Sequence, residues 1–165
     1  MDTKKEFMLL YISIGSFLLM SFSFLLMPID FATKGLQIVN ILIGIMFWLF
    51  LLIGIITQVA LTQKRKKWFK KHHLKQYRLK MRVGVISFFQ NTLGCIADII
   101  SAVSLIALII TAVLTDAAGF MCYVFLELFV FSFIMHCILN GKNYYFITNK
   151  QKFEKMQRKS VEGLK

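Results

Sequence analysis

The sequence predicts an all-α integral membrane protein, a four-helix transmembrane bundle with both termini in the cytoplasm. Three observations carry this reading. The chain is 58% hydrophobic with a mean hydropathy of +0.68, above the roughly half-apolar balance of soluble domains. Four apolar runs are each long enough to cross a hydrocarbon core about 30 Å thick. The basic residues avoid these runs and gather beside them. With 165 residues and a single proline, the chain reads as one membrane domain over 1–165, without linker or repeat.

The first span covers about 7–27. It follows Lys4 and Lys5 and ends at Met27-Pro28. A secretory signal has a shorter apolar core, about 7–15 residues, and a small-residue cleavage site, so an uncleaved helix is expected. Ser13, Ser16 and Ser23 share a stripe suited to close packing. Pro28 lacks an N–H and restricts the residue before it, which stops the helix. The second span covers about 36–61. At 100° per residue, Asn40, Gly44, Phe47, Leu51, Gly54 and Gln58 share one face. Its amides need partners and its glycines permit close approach, so this face is expected to point into the bundle, with both glycines at a helix contact.

Residues 62–83 form the long basic loop, with ten Lys/Arg, two His and no acid. Trp68, Phe69, Leu74, Tyr77, Leu79 and Met81 interrupt the charges without forming one narrow face, and the loop reads as a helical segment on the membrane surface. The third span covers about 84–114. Its stripe of Asn91, Gly94, Cys95, Asp98, Ser101, Ala102 and Leu105 should face protein, while Ile100, Val103 and Ile110 should face lipid. A turn at 115–119 leads into the fourth span, about 120–139, which Gly141 closes. The basic tail, 142–165, begins with the interfacial aromatics Tyr144, Tyr145 and Phe146. Over 149–160 it suits a short surface helix with Phe153 and Met156 turned to lipid.

Of the 20 Lys/Arg, two lie before the first span, ten in the long loop and seven in the tail. The positive-inside bias makes that side cytoplasmic. The net charge of +12 would suggest nucleic acid in a soluble protein. Beside membrane spans it points instead to anionic headgroups, with Lys64, Arg65, Lys66, Lys67, Lys70 and Lys71 as the lipid contacts.

Asp98 and Glu127 are the acids deep inside apolar spans. A carboxylate there costs about 3 kcal/mol on insertion scales, so each must be neutralised, paired or hydrated, and no Lys or Arg lies within a span to help. They are a candidate proton or cation site, or else structural hydrogen bonds between helices. Their different distances from the 115–119 turn argue against contact with each other within one chain. His136 matches the depth of Gln90 and Asn91, and the three make a candidate polar cluster in which a buried, hydrogen-bonded histidine is expected rather than a metal or haem ligand. His72 and His73 point to different sides of a helix and read as solvated. Cys95, Cys122 and Cys137 form no CxxC and read as packing residues.

Signatures of hydrolases, metalloproteases, P-loop proteins and dinucleotide binders are absent, and no cofactor is expected. The expected function is a non-enzymatic accessory or regulatory subunit of a complex in the cell membrane, with another membrane subunit or a second copy as partner. The alternative is a homo-oligomeric proton- or cation-coupled transporter or channel built on Asp98 and Glu127.

Overall fold

In the computed structural model the described residues are 3–29, 35–71, 88, 89, 91–114 and 119–162. Their regular structure is entirely helical: α1 (Thr3–Leu26), α2 (Gln37–Lys71), α3 (Thr92–Leu114), α4 (Phe120–Leu139) and α5 (Lys142–Glu162). The first four are long and apolar enough to cross a membrane.

Three boundaries differ from those the sequence suggests. α2 continues ten residues beyond the apolar span, to Lys71, so the helical reading of the basic segment holds over 62–71, as one helix with the span. Hydropathy falls at Thr62, yet Lys, Arg and Gln are good helix formers, and nothing in 62–71 breaks the helix. α3 begins at Thr92 rather than 84, because Asn91 caps it: the Asn91 side-chain oxygen accepts the Gly94 N–H at 2.8 Å. Such a cap satisfies a donor that has no partner within the helix, and it fixes where the helix begins. α5 is 21 residues long, not a short helix over 149–160. Of the proposed basic loop, 72–83 lies outside the described residues.

The four apolar helices form an open row, α2–α1–α4–α3, rather than a closed bundle. α1 packs along α2, α4 along α3, and the two hairpins meet where α1 touches α4. The inner helices therefore carry the packed core, including Leu10, Phe17, Met20, Met135 and Ile138. The outer pair presents broad apolar faces, with Ile38, Trp48, Ile56, Val103 and Ile106 all exposed.

The expected faces hold in part. Ser13, Ser16 and Ser23 are buried. Gly54 is also buried, and a Cβ there would meet the Phe17 ring at 2.8 Å. Gly44 does not share this contact, since nothing lies within 4 Å of its Cβ position, and Asn40 is exposed. α2 thus meets α1 at Gly54 and again at Phe47, whose ring centroid lies 5.9 Å from that of Phe24, while Gly44 stands off this seam. On α3 the buried side is Gly94, Ala97, Asp98 and Ser104, so the predicted stripe continues through Ala97 and Ser104 and leaves Ala102 and Leu105 exposed. Ile100, Val103 and Ile110 are exposed as expected.

Beyond the apolar runs, α5 folds back onto the extension of α2 and the start of α1. Phe146, Ile147, Lys150 and Phe153 recur at helical spacing and are buried. Trp68 and Phe69 of α2 meet Phe146 with ring centroids 5.3 and 5.4 Å apart, and Phe69 also meets Phe153. Phe153 therefore does not face lipid. An amphipathic pattern marks a face that leaves water but does not say what covers it, and here the cover is α2. Lys150 donates to Glu6 at 2.6 Å, with both side chains buried. These contacts bring the start of α1, the end of α2, the α4–α5 turn and the α3 N-terminus to one end of the row.

Candidate functional site

The densest polar chemistry lies at that end, between α3 and α4. Its placement begins with Asn91. While its oxygen caps α3, its amide nitrogen donates to the Leu139 carbonyl at 3.1 Å and to Asn140 Oδ1 at 3.3 Å. One residue thus starts α3 and ties it to the end of α4. Gly94 allows this closeness, because a Cβ there would sit 2.5 Å from Asn140 Oδ1.

Two turns into α3, Asp98 is buried and bonded through both oxygens. Oδ2 accepts the Phe89 backbone N–H at 2.7 Å, and Oδ1 bonds His136 Nδ1 on α4. His136 Nδ1 also lies 3.0 Å from the Asn140 amide nitrogen. The imidazole is sandwiched between Phe88, at 4.7 Å, and Phe133, at 5.9 Å. Asp98 and His136 are 5% and 1% exposed, so their charge or shared proton is held away from water. The carboxylate orients the ring and the ring supplies a donor, the pairing that permits buried acids in apolar surroundings.

The residues proposed from sequence thus regroup. Asn91 and His136 lie in one polar cluster, linked through Asn140, and His136 also bonds Asp98. Gln90 lies outside the described residues. Glu127 does not join this cluster. It is buried on α4 and accepts the Ser21 hydroxyl of α1. One turn earlier, Tyr123 donates to the Phe24 carbonyl and stacks on its ring with centroids 4.9 Å apart. The two acids therefore work in different seams, Asp98 between α3 and α4 and Glu127 between α1 and α4.

The basic residues of the α2 extension also divide. Lys66, Lys67, Lys70 and Lys71 are exposed and Lys64 is half-buried. Arg65 is not a surface contact: it is 7% exposed and donates to Asn143 Oδ1 at 2.7 Å. Asn143 in turn donates to Gln58 Oε1 at 3.0 Å, and Gln58 donates to Ser13 at 2.9 Å. This chain of side chains from α5 through α2 to α1 is absent from the sequence reading, which placed Ser13 and Gln58 on inward faces but had no partner for them. The buried pair of Glu6 and Lys150 also escaped it.

Among the described residues no group of three His, Cys, Asp or Glu could hold a metal, and Cys95, Cys122 and Cys137 are free thiols. The Ser104, Thr111 and Ser132 hydroxyls bond carbonyls of their own helices. Compared with known protein families, curated proteins and solved structures, the chain shows no match in any of the three.

Proposed function

We propose that the chain is a non-enzymatic accessory or regulatory subunit of a membrane complex, in which it associates with a partner through its helices. The observation that carries this reading is the open row. Among the four apolar helices α2 and α3 each pack along one neighbour, and both present long apolar faces. In hydrocarbon such faces gain little from burial itself, and helix pairing depends on packing and hydrogen bonds. The chain's own polar side chains are largely turned inward to hold the row together, so the outer faces are available to lipid and to a partner subunit or second copy.

In this reading the protein is a multi-pass cell-membrane protein with the shared basic end in the cytoplasm, following the distribution of Lys and Arg. The exposed Lys66, Lys67, Lys70 and Lys71 lie against anionic headgroups, each adding about 1 kcal/mol, and nucleic acid is not a partner. Purification under gentle detergent or in nanodiscs followed by native mass spectrometry tests the assignment. A stoichiometric foreign membrane subunit is the expected result, and a homo-oligomer without one would overturn it.

The Asp98–His136 pair favours a second reading, a proton- or cation-coupled transporter or channel. Ionisable residues inside membrane helices are rare and mark ion pathways or proton relays among other roles, and a carboxylate bonded to an imidazole can exchange a proton. Asp98→Asn separates the readings: an assembled but inactive variant supports coupling, and an assembled, active one supports a structural role.

A further inference from the structure

We infer that a groove between α1, α2, α4 and the start of α5 is a binding site for an anionic phospholipid, with Arg65 holding the phosphate. The groove has a volume of about 550 Å³ and two chemically distinct parts. Its apolar limb is lined by Phe17, Leu51, Phe133, Ile134 and Ile138. Its polar end is lined by Gln58, Thr62, Arg65, Lys142 and Asn143. The apolar run of α2 ends at Leu61 and Arg65 follows one turn later, so the polar end lies at headgroup depth and the apolar limb at acyl-chain depth.

Arg65 makes this a site for an anion. Its side chain is 7% exposed, yet it has no carboxylate partner among the described residues. The amide oxygen of Asn143 is its hydrogen-bond acceptor, and its buried Nε has no hydrogen-bond partner. A buried guanidinium without a counter-charge is costly. Glu6, the acid on the described part of α1, is already engaged by Lys150. A phosphate supplies the missing charge and takes the planar fork of donors that Arg presents, while Lys142 adds a second positive charge at the same end. Basic pockets between membrane helices on the cytoplasmic side bind phospholipid headgroups by this logic. The continuous apolar limb selects a lipid over a free phosphate. The site is distinct from the exposed lysines of α2, which offer charge but no enclosure, and it stands independently of the partner proposed above.

The test is lipid retention by the full chain. The protein is purified in detergent, exchanged into mixed micelles or nanodiscs containing phosphatidylglycerol or phosphatidylcholine, and analysed by native mass spectrometry. The parent should retain one phosphatidylglycerol per chain and no phosphatidylcholine. Arg65→Gln should weaken retention by at least about thirtyfold, on the scale expected when one partner of a buried charge pair is truncated, and the surface variant Lys70→Gln should not. Because Arg65→Gln also disturbs the Asn143 network, Cys137→Trp provides a second arm. Cys137 is exposed and lines the apolar limb, so a bulky residue there should expel the acyl chain while sparing Arg65. Equal retention of phosphatidylcholine, unchanged retention in both variants, or displacement by millimolar glycerol phosphate as effective as by lipid would each overturn the proposal.

Discussion

Asp98 on α3 and His136 on α4 are hydrogen-bonded to each other at the same height of one hairpin, and both are buried. Asp98→Asn should fold, because its amide can still accept the Phe89 N–H and face the ring. Asp98→Leu removes the acceptor of the Phe89 N–H and one bond of the imidazole, and a buried donor left unpaired costs about 1–3 kcal/mol. Its melting temperature in detergent should fall well below that of Asp98→Asn. Equal melting of the two variants would show that the bond does not hold the hairpin.

Gly54 and Gly44 lie ten residues apart on α2 and should respond differently. A side chain at 54 collides with the Phe17 ring, whereas one at 44 meets nothing. Gly54→Leu should cost about 1–3 kcal/mol as overpacking and Gly44→Leu close to none, read by thermal melting. A loss at Gly44 would place an unseen partner on the first half of α2.

Ser21 and Glu127 join the two hairpins across the α1–α4 seam. Ser21→Ala should destabilise by about 0.6–1.7 kcal/mol, the range for single hydrogen bonds between membrane helices. Once Glu127 is Gln, the same change should cost less. A double-mutant cycle measures this coupling, and strict additivity would remove the bond from the account.

Glu6 and Lys150 form a buried pair between α1 and α5, and among the described residues Glu6 Oε1 has no hydrogen-bond partner. Removing one charge should cost about 3–5 kcal/mol, while replacing both with apolar residues of similar size should cost much less. Chemical denaturation of Glu6→Leu, Lys150→Met and the double variant checks the order. A double variant worse than either single one would contradict it.

Cysteines introduced into a cysteine-free chain at Ile29 and at Lys71 should differ in reactivity toward an impermeant thiol reagent. Ile29 should label from outside intact cells, and Lys71 only after permeabilisation. The reverse pattern would invert the orientation and move the Arg65 groove to the outer leaflet.

The four apolar helices were legible because span length and charge avoidance are properties of the chain alone. That the helical basic segment is one continuous helix with the second span was not, because hydropathy registers departure from an apolar run and is blind to continuity beyond it. The burial of Arg65, Trp68 and Phe153 depends on α5 folding back, over separations of about 80 residues. No local period encodes that. The Asp98–His136 bond did leave a trace. Asp98 lies 17 residues before Thr115, and His136 lies 17 after Gly119. Equal distances from a hairpin turn put residues at equal height. Glu127, the other buried acid, lies only 8 residues after Gly119 and so sits at a different height from Asp98.

α1 is fastened at two levels to the second half of the chain: Glu6 to Lys150 near one end, and Ser21 to Glu127 fifteen residues further on. At 1.5 Å per residue these fixings are about 22 Å apart along the helix. A beam clamped at two such points resists tilting, so the α1–α2 and α3–α4 hairpins cannot rock against each other without breaking a buried polar bond. α3 is held to α4 in turn by the buried Asp98–His136 bond and by Asn91, so sliding within that hairpin breaks polar bonds as well. The centre of the row then acts as the stationary frame.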